Sequence, residues 1–170
     1  MRRVSSEFDD LKIGLALASG GARGSAHTGV LKVLEAEGIP ISAVAGSSIG
    51  AVVGGAYAAG ISVERIEKEW LETDLPKVVR SFLPTFPRAG LSSGSEFRKY
   101  LQYLLGDVHF DELSIPFAAM GCDIDTGEGV VLDRGSVADA IRASSSIPGL
   151  LPSGCAGKGT SSSMVDWWSR

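Results

Sequence analysis

The chain has 170 residues, 44% of them hydrophobic, with 16 basic and 20 acidic side chains and a net charge of −4. That length is ample for one buried core and too short for two comfortable domains. The acidic balance, with no Lys/Arg cluster interleaved with aromatics, excludes an electrostatic nucleic-acid surface, and two cysteines make no disulfide framework.

Residues 1–10, Met1-Arg-Arg-Val-Ser-Ser-Glu-Phe-Asp-Asp, read as a polar tail. They carry no apolar h-region, so no signal peptide is expected and the cytoplasm is the default location. Lys12 to Ala18 follows as an apolar run with the character of a buried strand. Directly after it comes Ser19-Gly20-Gly21-Ala22-Arg23-Gly24, and then a helix over Ala26 to Glu37 with Val30, Leu31, Val33 and Leu34 as its apolar stripe. Gly38 stands at the stop. Glycines between a strand and a helix let main-chain N–H groups converge on an anion: a dinucleotide pyrophosphate, a phosphate, or the oxyanion of an acyl-transfer intermediate.

The next strand bears on that choice. A dinucleotide site wants an acidic residue about 20 positions after the glycines, but no Asp or Glu falls between Glu37 and Glu64. Ser19 also stands where GxGxxG requires its first glycine. A P-loop at Gly157-Lys158 fails as well, since Pro152 and Gly159 occupy the positions of the first glycine and the Ser/Thr.

Ile41 to Ala45 is a short strand, Ala51 to Ala59 a small-residue helix, and Gly46-Ser47-Ser48-Ile49-Gly50 lies between them. Strand, sharp turn and helix are the context a GxSxG nucleophile elbow requires, with Ser48 as the nucleophile and Gly46 and Gly50 as the small residues that let the two backbones pass closely. The helix N-terminus favours negative charge developing at that hydroxyl. Ile41 to Ile61 also has Gly46, Gly50 and Gly54 at GxxxG spacing, a membrane-helix pattern. A buried elbow explains the same small residues without lipid.

Ser62 to Thr73 reads as an amphipathic helix with Ser62 as N-cap and Glu64 in its first turn. Residues 75–94 hold three prolines beside Phe82, Leu83 and Phe86 and read as a loop, either a plain crossover or an apolar rim or lid. Ser95 to Leu105 is helical. Phe117 to Asp123 and Val130 to Leu132 form a hairpin around Thr126-Gly127, with Cys122 expected as a buried small hydrophobe. Ser136 to Ala143 is a short helix capped by Ser136. Neither histidine suits a Ser-acid-His order, in which histidine comes last. His27 precedes the serine and belongs to the first helix, where packing or capping fits better. His109 sits in a polar connection.

Leu15-Ala-Leu-Ala-Ser-Gly-Gly-Ala-Arg-Gly-Ser-Ala-His-Thr-Gly-Val-Leu resembles the glycine-rich oxyanion loop of patatin-like phospholipases, and Ala45-Gly-Ser-Ser-Ile-Gly-Ala resembles their nucleophile elbow. Ile115-Pro-Phe through Asp123-Ile-Asp-Thr-Gly-Glu resembles the central strand and hairpin of that family. Ala140-Ile-Arg-Ala-Ser-Ser-Ser-Ile-Pro-Gly149 resembles the segment before its catalytic aspartate. The four motifs stand in the family's order.

The resemblance implies an α/β three-layer sandwich with a mostly parallel central sheet over residues 11–152. It implies a Ser–Asp dyad hydrolase of lipid acyl esters that needs no cofactor and meets its lipid or phospholipid substrate at a membrane surface. Ser48 would attack the ester, main-chain N–H groups around Gly20, Gly21 and Gly24 would hold the oxyanion, and Arg23 would assist there, meet a lipid phosphate, or stay solvated. No metal-ligand spacing is present.

The resemblance fails at the acid. The family places its aspartate in an Asp-Gly-Gly or Asp-Gly-Ala turn, whereas Pro152 to Arg170 offers only Asp166, followed by Trp167 and Trp168. Tryptophan takes the positive-φ turn that glycine allows only at steric cost. Residues 153–170 are therefore expected to be an aberrant, disordered tail on a C-terminally truncated domain.

Codons offset to begin on each third base suggest the cause. Met164-Val165 then encodes Gly, Asp166-Trp167 Leu and Trp167-Trp168 Val. Ser163-Met164 and Val165-Asp166 permit Asp and Gly. The hypothesis is a one-base slip near Leu150 to Ser153 with an early stop. Gene sequencing tests it, since codons for Ser163 and Val165 that do not end in G rule it out. The alternative function is a non-catalytic remnant that binds lipid or an anion at the Gly20–Gly24 loop.

Overall fold

A computed structural model describes residues 11–72, 95–123 and 126–146 of the chain. The expectations for the 75–94 loop, for Asp166 and for the tail lie outside the described residues.

The apolar runs form a sheet of four strands in the order β1-β2-β3-β4: β1 Ile13–Leu17, β2 Ile41–Ser47, β3 Phe117–Cys122 and β4 Gly129–Leu132. β1, β2 and β3 are mutually parallel, and β4 returns antiparallel to β3 through the expected hairpin. Register follows the side-chain alternation. Leu15, Val44 and Phe117 fall in one row across the sheet, and Ala16, Ala45 and Ala118 in the next. Side chains two apart share a face, so the first row lies on the buried side with Leu17 and Leu132.

The helices among the described residues are α1 Ser25–Ala36, α2 Ile49–Ala58, α3 Val63–Glu72, α4 Ser95–Leu105 and α5 Val137–Ser144. A 3-10 turn at Gly21–Gly24 feeds α1. Helix α2 is the hub, with eight of its ten residues buried. It packs against the sheet and against α5, and its composition follows from that position. A Cβ on Gly54 would come within 2.7 Å of a Val44 methyl, and one on Gly55 within 2.6 Å of the Ile141 δ-methyl. Close packing against protein therefore accounts for the glycines that spell a membrane-helix motif. No helix among the described residues is long and apolar enough to cross a membrane.

Leu31, Leu101, Leu132 and Ile141 are the largest fully buried side chains, each stabilising the fold by about 1.5–3 kcal/mol through burial. The caps fall where expected. Ser62 Oγ accepts from Arg65 N–H at 3.3 Å, and Ser136 Oγ accepts from Asp139 N–H at 3.3 Å. Gly38, at φ 69°, ends α1. Among the described residues two ion pairs tie helices together, Lys32 to Glu67 between α1 and α3 and Arg98 to Asp139 between α4 and α5.

The observed fold is the expected α/β arrangement around a mostly parallel sheet. Its described helices gather on the α2 side. The opposite face carries Gly14, Ala16, Ala43, Ala45, Ala118 and Met120. An open depression of about 720 Å³ is lined by residues of both faces of β1, β2 and the start of β3, Ala16 and Ala45 together with Val44, Phe117 and Phe110.

Two expectations need correction. Cys122 is exposed, because it alternates with Ala118 and Met120 onto the open face, while Ala119 and Phe117 turn to the core. In α1 only Leu31 and Thr28 are buried, whereas Val30 and Val33 are 50% and 61% exposed. A stripe of adjacent pairs cannot all face inward at 100° per residue.

Candidate active site

The site is built where β2 ends. Ser47 is its last residue, Ile49 opens α2, and Ser48 between them has φ 51° and ψ −118°. Among the described residues Ser48 is the one non-glycine with positive φ. Such a backbone costs about 1–3 kcal/mol and persists only where its surroundings over-determine it. Its carbonyl accepts from the N–H groups of Ala51 at 2.9 Å and Val52 at 3.1 Å, so α2 begins immediately and its positive dipole end lies at the serine.

The flanking glycines are steric necessities. A Cβ on Gly46 would stand 2.6 Å from the Ala51 nitrogen, inside the elbow itself. On Gly50 it would overlap the Leu17 carbonyl oxygen and lie 2.7 Å from that of Ala18. The strand-to-helix bend is thus pressed against the end of β1, where the glycine-rich segment starts.

That segment closes on the same spot. A Cβ on Gly24 would overlap the Ile49 side chain, so the 3-10 turn abuts the residue after Ser48. Gly21 has φ 54°, a conformation glycine accepts freely. The turn closes with Arg23 N–H donating to the Gly20 carbonyl at 3.1 Å. The N–H groups of Gly21 and Ala22 precede that first closing bond and have no partner within the turn. Gly20, Gly21 and Arg23 are exposed and Gly24 is buried. The structure therefore brings Ser48, Gly46, Gly50 and the Gly20–Gly24 loop into one place.

Neither histidine forms a hydrogen bond with Ser48 among the described residues. His27 Nε2–H donates to the Ala18 carbonyl at 2.8 Å, pinning α1 to the end of β1. That nitrogen is engaged by the carbonyl, and the ring's remaining nitrogen, Nδ1, forms no hydrogen bond with Ser48 among the described residues. His109 is exposed, and its main-chain N–H donates to Glu112 Oε2 at 2.8 Å. It precedes β3 and bridges Ser136, at the opposite end of the parallel strands from Ser48.

One functional-looking contact was not foreseen. The Ser144 hydroxyl accepts from Ser48 N–H at 2.9 Å and donates to the Met120 carbonyl at 2.6 Å. Asp123, at the end of β3, is 5% exposed. Its Oδ1 accepts from Thr126 N–H at 3.0 Å, and its carbonyl accepts from Gly127 N–H, as expected for a residue that builds the hairpin turn.

A family model described as patatin-like phospholipase matches residues 15–163. The chain belongs to the patatin-like phospholipase family. The match runs through all four motifs and past residue 152. An uncharacterized NTE family protein of Mycobacterium bovis is 38% identical over 143 residues, covering 82% of this chain and 39% of that protein. Neuropathy target esterase sws of Drosophila persimilis is 35% identical over 150 residues, covering 84% of this chain and 10% of that protein. The chain thus spans about two-fifths or less of these relatives. The crystal structure of ExoU with SpcU, from the type III secretion system of Pseudomonas aeruginosa, superposes with a TM-score of 0.63 at 19% identity, covering 81% of this chain and 38% of that one. That likeness is one of fold.

Proposed function

We propose that this patatin-like domain is a lipid acyl hydrolase of the phospholipase A or esterase type, with Ser48 as its nucleophile. The observation that carries the reading is the left-handed Ser48, pressed by Gly46 and Gly50 against the glycine-rich end of β1. Ser48 Oγ attacks the ester carbonyl carbon, the carbonyl electron pair moves to oxygen, and the N–H groups at Gly20–Gly24 stabilise that oxyanion. Each such donor is worth about a hundredfold to a thousandfold in turnover. In this reading Arg23, exposed on the same loop, meets a lipid phosphate. The dyad partner that would take the serine proton is, by the family resemblance, an aspartate in an Asp-Gly-Gly turn, and the one aspartate this sequence carries after Ser146 is Asp166, followed by Trp167 and Trp168. The substrate is met at a membrane surface.

The sequence after Pro152 lacks the Asp-Gly-Gly turn, which favours a second reading of this chain as written: a non-catalytic remnant that keeps the lipid- or anion-binding half of the site. Turnover of mixed phospholipid vesicles and of p-nitrophenyl acyl esters separates the two. The chain as written should release little or no fatty acid. A version with the offset-frame Asp-Gly-Gly-Leu-Val in place of residues 164–168 should release it in a Ser48-dependent manner. Absence of turnover in the restored, folded version would overturn the hydrolase reading.

A further inference from the structure

Ser144 is the last residue of α5, and the obvious role for a serine there is local. A hydroxyl near a helix end commonly bonds back to the carbonyl four residues earlier. Ser146 does this, donating to the Arg142 carbonyl at 2.8 Å. Ser144 does not. Its oxygen reaches 96 positions back to accept the Ser48 N–H at 2.9 Å, and its proton goes 24 positions back to the Met120 carbonyl at 2.6 Å. A hydroxyl has one proton to give, so these two bonds fix its rotor. Met120 is the register partner of Ser47. The Ser144 oxygen therefore clamps the elbow to the neighbouring strand where the β2–β3 ladder ends.

The clamp answers a specific need. With φ at 51°, Ser48 turns its N–H away from the direction a ladder would use, and a partly buried N–H must find a partner elsewhere. Ser144 is that partner. In accepting this N–H it also removes it from the set of donors facing a substrate oxygen, leaving that task to the amides of the glycine-rich loop. We propose that Ser144 is a positioning residue for Ser48: its hydroxyl fixes the main chain of the elbow, and through it the aim of the Ser48 side chain at the Gly20–Gly24 loop. This rests on the reading of Ser48 as the nucleophile.

Two measurements on the intact chain test it, with Ser144→Ala and with Ser144→Thr, which keeps the hydroxyl. The first is the rate at which a fluorophosphonate probe labels Ser48. The alanine variant should fall by about tenfold or more, since small misplacements of reacting groups carry losses of that order, while the threonine variant keeps most of the rate. Both should melt within a few degrees of the parent. The second is hydrogen exchange at the Ser48 amide, which should quicken by about tenfold in the alanine variant alone. Unchanged labelling or unchanged Ser48 exchange in Ser144→Ala overturns the proposal, as does an equal loss of labelling in Ser144→Thr. Absence of labelling both in the parent chain and in folded protein carrying the restored Asp-Gly-Gly turn sinks the nucleophile reading instead, and exchange at Ser48 still decides whether the clamp exists. If Ser144→Ala does not fold, a protected Ser48 amide in the parent and in Ser144→Thr supports the clamp, and rapid exchange in either overturns it.

Discussion

Gly50 lies so close to Leu17 that a single added carbon would overlap the Leu17 carbonyl oxygen. The obstacle is main chain, fixed in the β1–β2 ladder, and it cannot swing aside as a side chain would. Gly50→Ala should therefore destabilise the fold by about 3 kcal/mol or more, at the upper end of overpacking costs. Gly29 gives the opposite sign. It is exposed within α1 and its Cβ would meet nothing within 4 Å, so Gly29→Ala should stabilise by about 0.5–1 kcal/mol. Denaturant midpoints of the two variants check the pair.

Ser48 holds its conformation at a cost that glycine would not meet. Ser48→Gly should raise stability by about 1 kcal/mol, by relief of the positive φ, and abolish any reaction at the site. A matched Ser48→Ala, which retains the Cβ, should show no such gain. If both variants melt with the parent, the elbow stores no backbone strain.

The pH dependence is read from Tyr57 in α2. Burial, then the charge of Glu35 and a hydrogen bond to it, hold the Tyr57 phenol above its ordinary value of 10.0. A raised acid binds its proton more tightly when folded than unfolded. The stability it contributes is whole below the unfolded value and is lost as pH rises through the folded one. Tyr57→Phe should therefore flatten the alkaline limb of the melting-temperature profile above about pH 10. A limb of unchanged steepness would contradict this.

Much of the fold was legible because its signals are local. The Lys12–Ala18 run, the Ser62 and Ser136 caps and the Gly38 stop each report a choice made within a few residues, and each element formed close to its expected bounds. The elbow was legible for a similar reason: two glycines around a serine between a strand and a helix state a steric requirement directly. What local pattern does not encode is which side of an element finds a neighbour. Cys122 and Val30 are apolar residues in regular elements, yet both are exposed, since burial depends on what packs across from them. Ser144 was missed for the same reason. Its motif was recognised, but nothing in a run of three serines tells which hydroxyl reaches Ser48.

Everything functional depends on Ser48 being a reactive hydroxyl that faces the glycine-rich turn. The direct measurement is reaction of the folded chain with a fluorophosphonate, followed by mass mapping of the adduct. Because the phosphonyl oxygen takes the place of the oxyanion, labelling should occur at Ser48, slowly where the dyad acid is lacking, and should weaken when Gly24→Ala forces the 3-10 turn away from Ile49. An adduct spread evenly over Ser47, Ser48 and Ser144, or none on well-folded protein carrying the restored Asp-Gly-Gly turn, would contradict it.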